Sequence, residues 1–335
     1  MKKQVTIKDI AQQLGFSVST VSRALKDHPD ISVKTREAVQ QLATLLGYKP
    51  NRIALNLKNS KTNTIGLIIP EVEHYFFSSI INGVEEIAYE NNYYVMVFQS
   101  NESYMREVLN VQALATNRVD GVLASFSKET HNFSHFKQLI DYEIPVVFFD
   151  RVVNDMHADT VVSDDFHGAY LAVEHLIKKG CSNIALYSSP RHLLISKERH
   201  NGYKQALEDN GLEYSTDLVY SCDTFEDAVK ISRSILKKRN RPDGIFAVND
   251  MTAIGVMKVA KELGINIPEA LKIAGFENSP TSQVVDPDLT TVDQFGFDLG
   301  KKAAALLLKR IEAPDFTYKA ENITIKPKLI LRGSS

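Results

Sequence analysis

Apolar residues along this chain follow two different periods, and the change of period divides it. Up to about residue 46 they recur every three to four positions. Ile7, Ile10, Ala11 and Leu14 give a first short helix one apolar face. Thr6 is placed to cap it, Asp9 stands three residues on, and Gly15 ends it. Ser17 caps a second helix, 18–25, which buries Val21, Ala24 and Leu25 and leaves Ser19, Ser22, Arg23 and Lys26 outward. Ser32 opens a third helix, to about Leu46, with an apolar stripe of Val33, Ala38, Val39, Leu42, Leu45 and Leu46, and Gly47 closes it.

From Thr64 the pattern changes to short, continuous apolar runs alternating with helical ones. Runs at 65–69, 94–98, 121–125 and 145–149 read as strands buried on both faces. Between them lie a helix carrying Ile80, Ile81, Val84, Ile87 and Ala88 and helices over 105–117 and 133–142. A second series begins near Phe166, with helices 166–179, 198–210, 225–238 and 251–263 and strands 184–187, 218–220, 244–248 and 272–275. A helix at 297–311 and a strand near 323–325 end the chain. Two successive βαβ series predict an α/β protein with two doubly wound parallel sheets. Such sheets bind ligands beyond the carboxyl ends of their strands, here facing each other across a cleft.

Charge sharpens the division. Residues 1–61 hold 11 Lys and Arg against 4 Asp and Glu, a net of +7, whereas the rest of the chain has a net of −9. A basic head built as helix–turn–helix, with small hydroxyls and an arginine on its second helix, suits the major groove of DNA. The remainder, with its own large core, has the sign of a domain that does not meet phosphate. An αα-hairpin with a solvated face is the plainer alternative for the head. Residues 50–60 contain Ile53–Lys58, too short for a stable helix alone, followed by a polar stretch.

Other function classes find little support. No apolar run approaches the roughly 18 residues of a membrane span. Lys2 and Lys3 are not followed by an apolar signal segment. The two cysteines, Cys181 and Cys222, form neither a disulfide framework nor a zinc-site spacing, and the nine histidines are scattered. These features point to a cytoplasmic protein. No phosphate-cradling GxxxxGK[ST], GxSxG or HExxH motif occurs, so neither catalytic residues, metal ligands nor a cofactor are expected.

The stretches VTIKDIAQQLGFSVSTVSRAL, ISVKTREAVQQLATLLGYKPNRIALNL, TNTIGLIIP, IPVVFFDR, FAVNDMTAIGVMKVAKELGINIP, IAGFEN and DLTTVDQ resemble the lac repressor and purine repressor family of bacterial transcription regulators. The resemblance runs along essentially the whole chain. It implies a helix–turn–helix domain over 1–49, a hinge over 50–60 and a bilobal effector-binding and dimerisation domain over 61–335, of the periplasmic-binding-protein type. The first lobe is expected over about 61–162 plus 293–322, and the second over about 163–292 plus 323–335. The resemblance further implies a homodimer on a near-palindromic double-stranded operator. No added heptad segment is seen after the final strand, which favours a dimer. A small molecule in the cleft, most commonly a sugar or sugar derivative, modulates DNA binding in such proteins. A nucleobase or a protein corepressor is the alternative regulator, and a sugar-binding module without DNA function the remoter one.

Residue by residue, the resemblance assigns base contacts to Val18, Ser19 and Arg23, chemically apt for a thymine methyl, for a permissive edge and for guanine. Thr6, Ser17, Thr20, Ser22 and Asn51 are the expected phosphate contacts, which position the head without reading sequence. In the hinge, Leu57 is the expected minor-groove wedge, with Ala54 one turn earlier for close approach and Lys58 beside it. In the cleft, the effector positions are Phe76, Phe77, Asp150, Ile195, Arg199, Phe225, Asn249 and Glu277. Glu277 stands where the family more often has Asp, Ile195 where relatives often carry a polar group, and Phe225 is one residue out of the usual spacing. Asp250 reads as a helix cap beside Asn249.

Overall fold

Helix starts in the head are fixed by hydroxyl caps. The Thr6 side chain accepts from the Asp9 amide while its own N–H donates to Asp9 Oδ2 at 2.7 Å, a reciprocal capping box that begins α1 (Ile7–Leu14). Gly15, at φ 67°, takes the left-handed conformation that ends it. Ser17 caps α2 (Val18–Ala24) and Ser32 caps α3 (Val33–Leu45), each accepting from the amide three residues on. Ile10, Ala11, Val21, Ala24, Val39 and Ala43 form the small core. Two expected core residues differ. Val33 and Leu45 are 65% and 81% exposed, because α1 and α2 are too short to cover both ends of the 13-residue α3.

The coordinates, a computed structural model, describe residues 5–48, 61–153, 156, 158–312 and 319–335. Asn51, Ala54, Leu57 and Lys58 lie outside the described residues, as does the whole expected hinge, 50–60. The chain divides into two units, Met1–Thr62 and Asn63–Ser335.

The larger unit contains two six-stranded sheets. The strands are β1 (Thr64–Ile69), β2 (Tyr94–Gln99), β3 (Gly121–Ala124), β4 (Val146–Phe149), β5 (Asp159–Ser163), β6 (Ile184–Ser188), β7 (Val219–Ser221), β8 (Gly244–Ala247), β9 (Lys272–Phe276), β10 (Thr290–Asp293), β11 (Asn322–Ile325) and β12 (Lys328–Ile330). The first sheet runs β11-β5-β4-β3-β1-β2 and the second β12-β10-β9-β8-β6-β7. Both therefore share the 2-1-3-4-5 order of a doubly wound fold, with one further strand at the edge.

Alternate residues of each central strand feed opposite cores. In β1, Ile65, Leu67 and Ile69 pack under α4 (Tyr75–Glu90) and α11 (Gly296–Glu312). Ile68 faces α5 (Tyr104–Thr116) and α6 (Ser134–Asp141). The second sheet is covered likewise. Its Phe246, Ala274 and Phe276 face α7 (Asp165–Lys178) and α8 (Leu194–Asp209). Ile245, Ala247 and Ile273 face α9 (Phe225–Ile235) and α10 (Asp250–Glu262). Helices α4 and α11 approach so closely that a Cβ on Gly83 would run into the Phe297 carbonyl. Only glycine fits that crossing.

Three strands escape the apolar pattern. β5 and β10 read as DTVVS and TTVD, and their buried Asp159, Thr290 and Thr291 each find individual polar partners. Arg310 reaches Asp159 with Nε at 2.7 Å and a terminal nitrogen at 2.9 Å. β12 pairs antiparallel with β10, so the second sheet is not wholly parallel. The expected lobe boundary at 322/323 also moves. β11 pairs with β5 in the first sheet, and Ile323 and Ile325 pack on that lobe's core, so the last crossing falls between Ile325 and Lys328. Helix α8 begins at Leu194, earlier than its periodicity suggests, which brings Ile195 onto its first turn.

Candidate functional site

On the head, Ser19, Arg23 and Lys26 are exposed as expected, and Ser22 is not. Val18 is 42% exposed, Ser19 and Arg23 are exposed, and Thr20 and Ser22 are half-buried. The Arg23 guanidinium makes neither a hydrogen bond nor an ion pair among the described residues, so its fork of donors is available to a base edge or phosphate. The two caps are less available. The Thr6 hydroxyl donates to Asp9 Oδ2 at 2.8 Å, leaving it no free donor for a phosphate oxygen in this arrangement. Ser17 Oγ accepts from the Thr20 amide and lies 2.8 Å from both Ser19 Oγ and Thr20 Oγ1.

In the larger unit, a cavity of about 70 Å³ lies between the two sheets. Its charged wall is built at strand ends. Glu102 follows β2, Lys128 follows β3, Asp150 and Arg151 follow β4, Asp223 follows β7, Asn249 follows β8, Glu277 follows β9 and Gln294 follows β10. Seven of the eight expected effector residues line it: Phe76, Phe77, Asp150, Ile195, Arg199, Asn249 and Glu277. Phe225 does not. It opens α9, and its ring and carbonyl lie beside Gly255 of α10, whereas Asp223, two residues earlier, reaches the cavity.

Arg199 is held from several directions. Its Nε donates to Asp165 Oδ1 at 2.7 Å, one terminal nitrogen to the Val248 carbonyl at 2.7 Å, and the other to Gln294 Oε1 at 3.1 Å. The guanidinium carbon stacks 4.0 Å over the Phe276 ring. Three of its five N–H groups are thus engaged, leaving two for a ligand. Phe76 and Phe77 make an edge-to-face pair with centroids 5.5 Å apart, and each belongs to the first lobe's core as well as to the cavity wall. The Asn249 side chain, not that of Asp250, caps α10: its Oδ1 accepts from the Thr252 amide at 2.7 Å. Asp250 is buried and accepts from Ser279 and Thr291.

Two carboxylates are under strain of a different kind. Asp150 has φ 59° and Glu277 φ 140°, backbone conformations that non-glycine residues avoid except where surrounding structure imposes them. Burial pushes Asp150 up to about 6, against the lowering influence of Arg151, and pushes Glu277 up to about 7, reinforced by nearby Asp250. Burial also raises Asp165, which Arg199 only partly counters. Glu102 shows the opposite balance: burial works to raise it, yet its hydrogen bonds and charge contact with Arg151 leave it below the ordinary value.

Direct bonds tie the lobes together across the cavity. Glu277 Oε1, from the second lobe, accepts from the Phe76 amide of the first at 2.7 Å. Lys128 Nζ, from the first, meets Asp223 Oδ2 of the second at 2.7 Å, and His192 Nε2 donates to the Lys128 carbonyl at 2.6 Å. Leu193 and Ile195 join the first lobe's apolar cluster that includes Phe126. Arg151, Glu102, Lys128 and Asp223 were not singled out from sequence. Their position within a few residues of successive strand ends was the signal available, since doubly wound sheets build their sites there.

Comparisons with known proteins agree with this anatomy. Residues 6–51 match the family described as bacterial regulatory proteins, lacI family. Residues 62–332 match periplasmic binding proteins and sugar binding domain of LacI family. The ribose operon repressor of Halalkalibacterium halodurans is 36% identical over 332 residues, covering 98% of this chain and 97% of the relative. The transcriptional repressor PurR of Vibrio atlanticus is 31% identical, covering 98% of each. Among solved structures, a LacI family regulator from Enterococcus faecium with bound ribose is 28% identical with a TM-score of 0.72, over 81% of this chain and 98% of that one. The lac repressor dimer bound to operator shares the fold, with a TM-score of 0.87 at 23% identity over 99% of each chain.

Proposed function

The chain belongs to the LacI family of bacterial regulatory proteins, and from that premise we propose that a sugar bound between its two lobes controls its grip on operator DNA. It is a helix–turn–helix transcriptional repressor, and its relatives are repressors rather than enzymes. The observation that carries the effector reading is the cleft itself. Acids, an arginine and an asparagine at strand ends converge there beside the faces of Phe76, Phe77 and Phe276. Hydroxyls need such donors and acceptors, and the CH faces of a sugar ring need apolar walls. A ribose operon repressor and a ribose-bound regulator among the similar proteins support a monosaccharide.

In this reading α2 enters the major groove, with Val18, Ser19 and Arg23 on base edges. Residues 50–60 form the hinge, and Leu57 wedges into the central minor-groove step. The protein works as a homodimer on a near-palindromic operator in the cytoplasm. No helix among the described residues is long and apolar enough to cross a membrane. The edge strand β2 and the neighbouring α5 offer a contact surface for the second protomer, with Tyr94, Met96, Val97, Met105 and Leu109 between 37% and 64% exposed. A thermal-shift screen of sugars and nucleobases, followed by operator titration with each hit, tests the proposal. A sugar at about 100 times its dissociation constant should add about 2.7 kcal/mol of apparent stability and change operator affinity. A nucleobase as the sole hit would overturn the sugar reading.

A further inference from the structure

We propose that the cleft selects an uncharged sugar and discriminates against the phosphate ester of the same sugar. This rests on the sugar reading above and specifies its chemical class. The reason lies in how the cations of the cleft are already used. Three line it, and each is matched by a carboxylate. Lys128 Nζ is 2.7 Å from Asp223 and 3.8 Å from Glu102. Arg151 forks onto Glu102 with its two terminal nitrogens at 2.8 and 2.9 Å, and one of them also reaches the Phe126 carbonyl. Arg199 is held by Asp165 at 2.7 Å.

Against these three cations the cavity wall carries four carboxylates, Glu102, Asp150, Asp223 and Glu277, with Asp165 directly behind Arg199. A phosphate ester would bring a further charge of about −1.5 to −2 into that wall. Its oxygens accept hydrogen bonds, but the donors still open to them, two N–H groups of Arg199 and the Nε–H of Arg151 among them, belong to cations whose charge a carboxylate already balances. Helix starts do not make up the difference. The Phe76 amide at the start of α4 is taken by Glu277, and Asn249 occupies the start of α10. The start of α8 has no side-chain cap, but Leu194 and Ile195 there share a cavity wall with Asp150, Asp165 and Glu198.

What the cleft has in surplus is acceptor capacity. Asp150 accepts from Ser125 Oγ at 3.2 Å, and Glu277 from the Phe76 amide. A carboxyl group has about four acceptor positions when ionised and keeps acceptor capacity when protonated, so both can take ligand hydroxyls. The desolvation that raises Asp150 and Glu277 also makes each gain from a donating partner. A ligand rich in hydroxyl donors, carrying no negative charge, is the complement of this wall.

Calorimetric titration of the full-length protein with D-ribose, D-ribose 5-phosphate, D-glucose and D-glucose 6-phosphate, at fixed salt, tests the inference. The expected result is that a neutral sugar binds at least about tenfold tighter than its phosphate ester. Asp223→Asn releases Lys128, so in that variant the ratio between ester and free sugar should shift toward the ester by several-fold. A phosphate ester that binds as tightly as the free sugar overturns the inference and leaves the sugar reading standing. An unchanged ratio in Asp223→Asn overturns the argument from matched cations. If no sugar or sugar phosphate binds, the sugar reading itself fails.

Discussion

Replacing Glu277 by Gln isolates one buried charge at the lobe boundary. Helix α4 starts at His74 without any side-chain cap from its own segment. Its Phe76 amide instead donates to Glu277 Oε1 from the opposite lobe. Glutamine keeps an oxygen of the same reach for that bond and removes the charge. Glu277 has its pKa raised from 4.5 to about 7, burial being the main cause and Asp250 adding to it, while the Phe76 bond and Arg199 pull the other way. A raised carboxyl favours the folded state fully below the unfolded value, and that contribution is lost as pH climbs through the folded value. With those two values, wild-type stability falls between pH 5 and pH 8 by about 2 to 3 kcal/mol through this group alone. The Gln variant lacks that fall. Asp150 titrates in both proteins and cancels from their difference. Thermal unfolding of the two proteins, without ligand, across this pH range is the assay. The Gln variant should gain on wild type by roughly 5–10 °C between the acidic and alkaline ends, at about 2–4 °C per kcal/mol for a domain of this size class. A difference in midpoint that stays constant with pH would refute the reasoning, because Glu277 would then not titrate in this window.

Arg199→Ala leaves Asp165 buried without its partner and should destabilise the larger unit by about 3–5 kcal/mol in urea unfolding, whereas Arg199→Ala with Asp165→Asn should recover a substantial part. Equal losses in the single and double variants would show that the pair is not what holds that corner together. Arg23→Ala should cost about 1–3 kcal/mol and relax preference at one base pair per half-site, and equal loss on operator and random DNA would reduce Arg23 to a phosphate contact. Leu57→Ala should weaken operator binding sharply, spare non-specific binding and reduce the effect of ligand on DNA affinity, measured at fixed salt because all such affinities depend on it. Full operator affinity in that variant would make residues 50–60 a simple tether.

The local elements were legible because they rest on local physics. Hydroxyl caps at Thr6, Ser17 and Ser32, a left-handed glycine at 15 and the apolar period from Ile7 to Leu46 define three helices without help from elsewhere. Continuous apolar runs announce β1, β3, β4 and β8 because both faces of those strands are covered by helices. Strands β5 and β10 were silent for the converse reason. Their burial depends on partners far along the chain, such as Arg310 for Asp159, and no short window contains both members. The edge strand β12 is short and only half-buried, so it carries no apolar run.

The cleft divides in the same way. The family resemblance marked Asp150, Arg199, Asn249 and Glu277 in advance, and for all but Arg199, which stands on α8, the topological rule for doubly wound sheets gives the reason. Which charges neutralise which was settled only in three dimensions. Lys128 finds Asp223, and Glu102 finds Arg151, across sequence separations no periodicity reports. The exclusion of Phe225 had the same origin, since its ring goes to the gap left by Gly255 on a neighbouring helix. The sequence by itself determined a basic helix–turn–helix head, two βαβ series and the strand ends on which a ligand would rest, because periodicity, capping and net charge are short-range properties. Tertiary structure alone decided that Glu277 would cap a helix of the other lobe and that every cation of the cleft would be matched by an acid, because the first contact and the Lys128–Asp223 pair form only when the two sheets face each other, and the Arg151–Glu102 and Arg199–Asp165 pairs only when each lobe has folded.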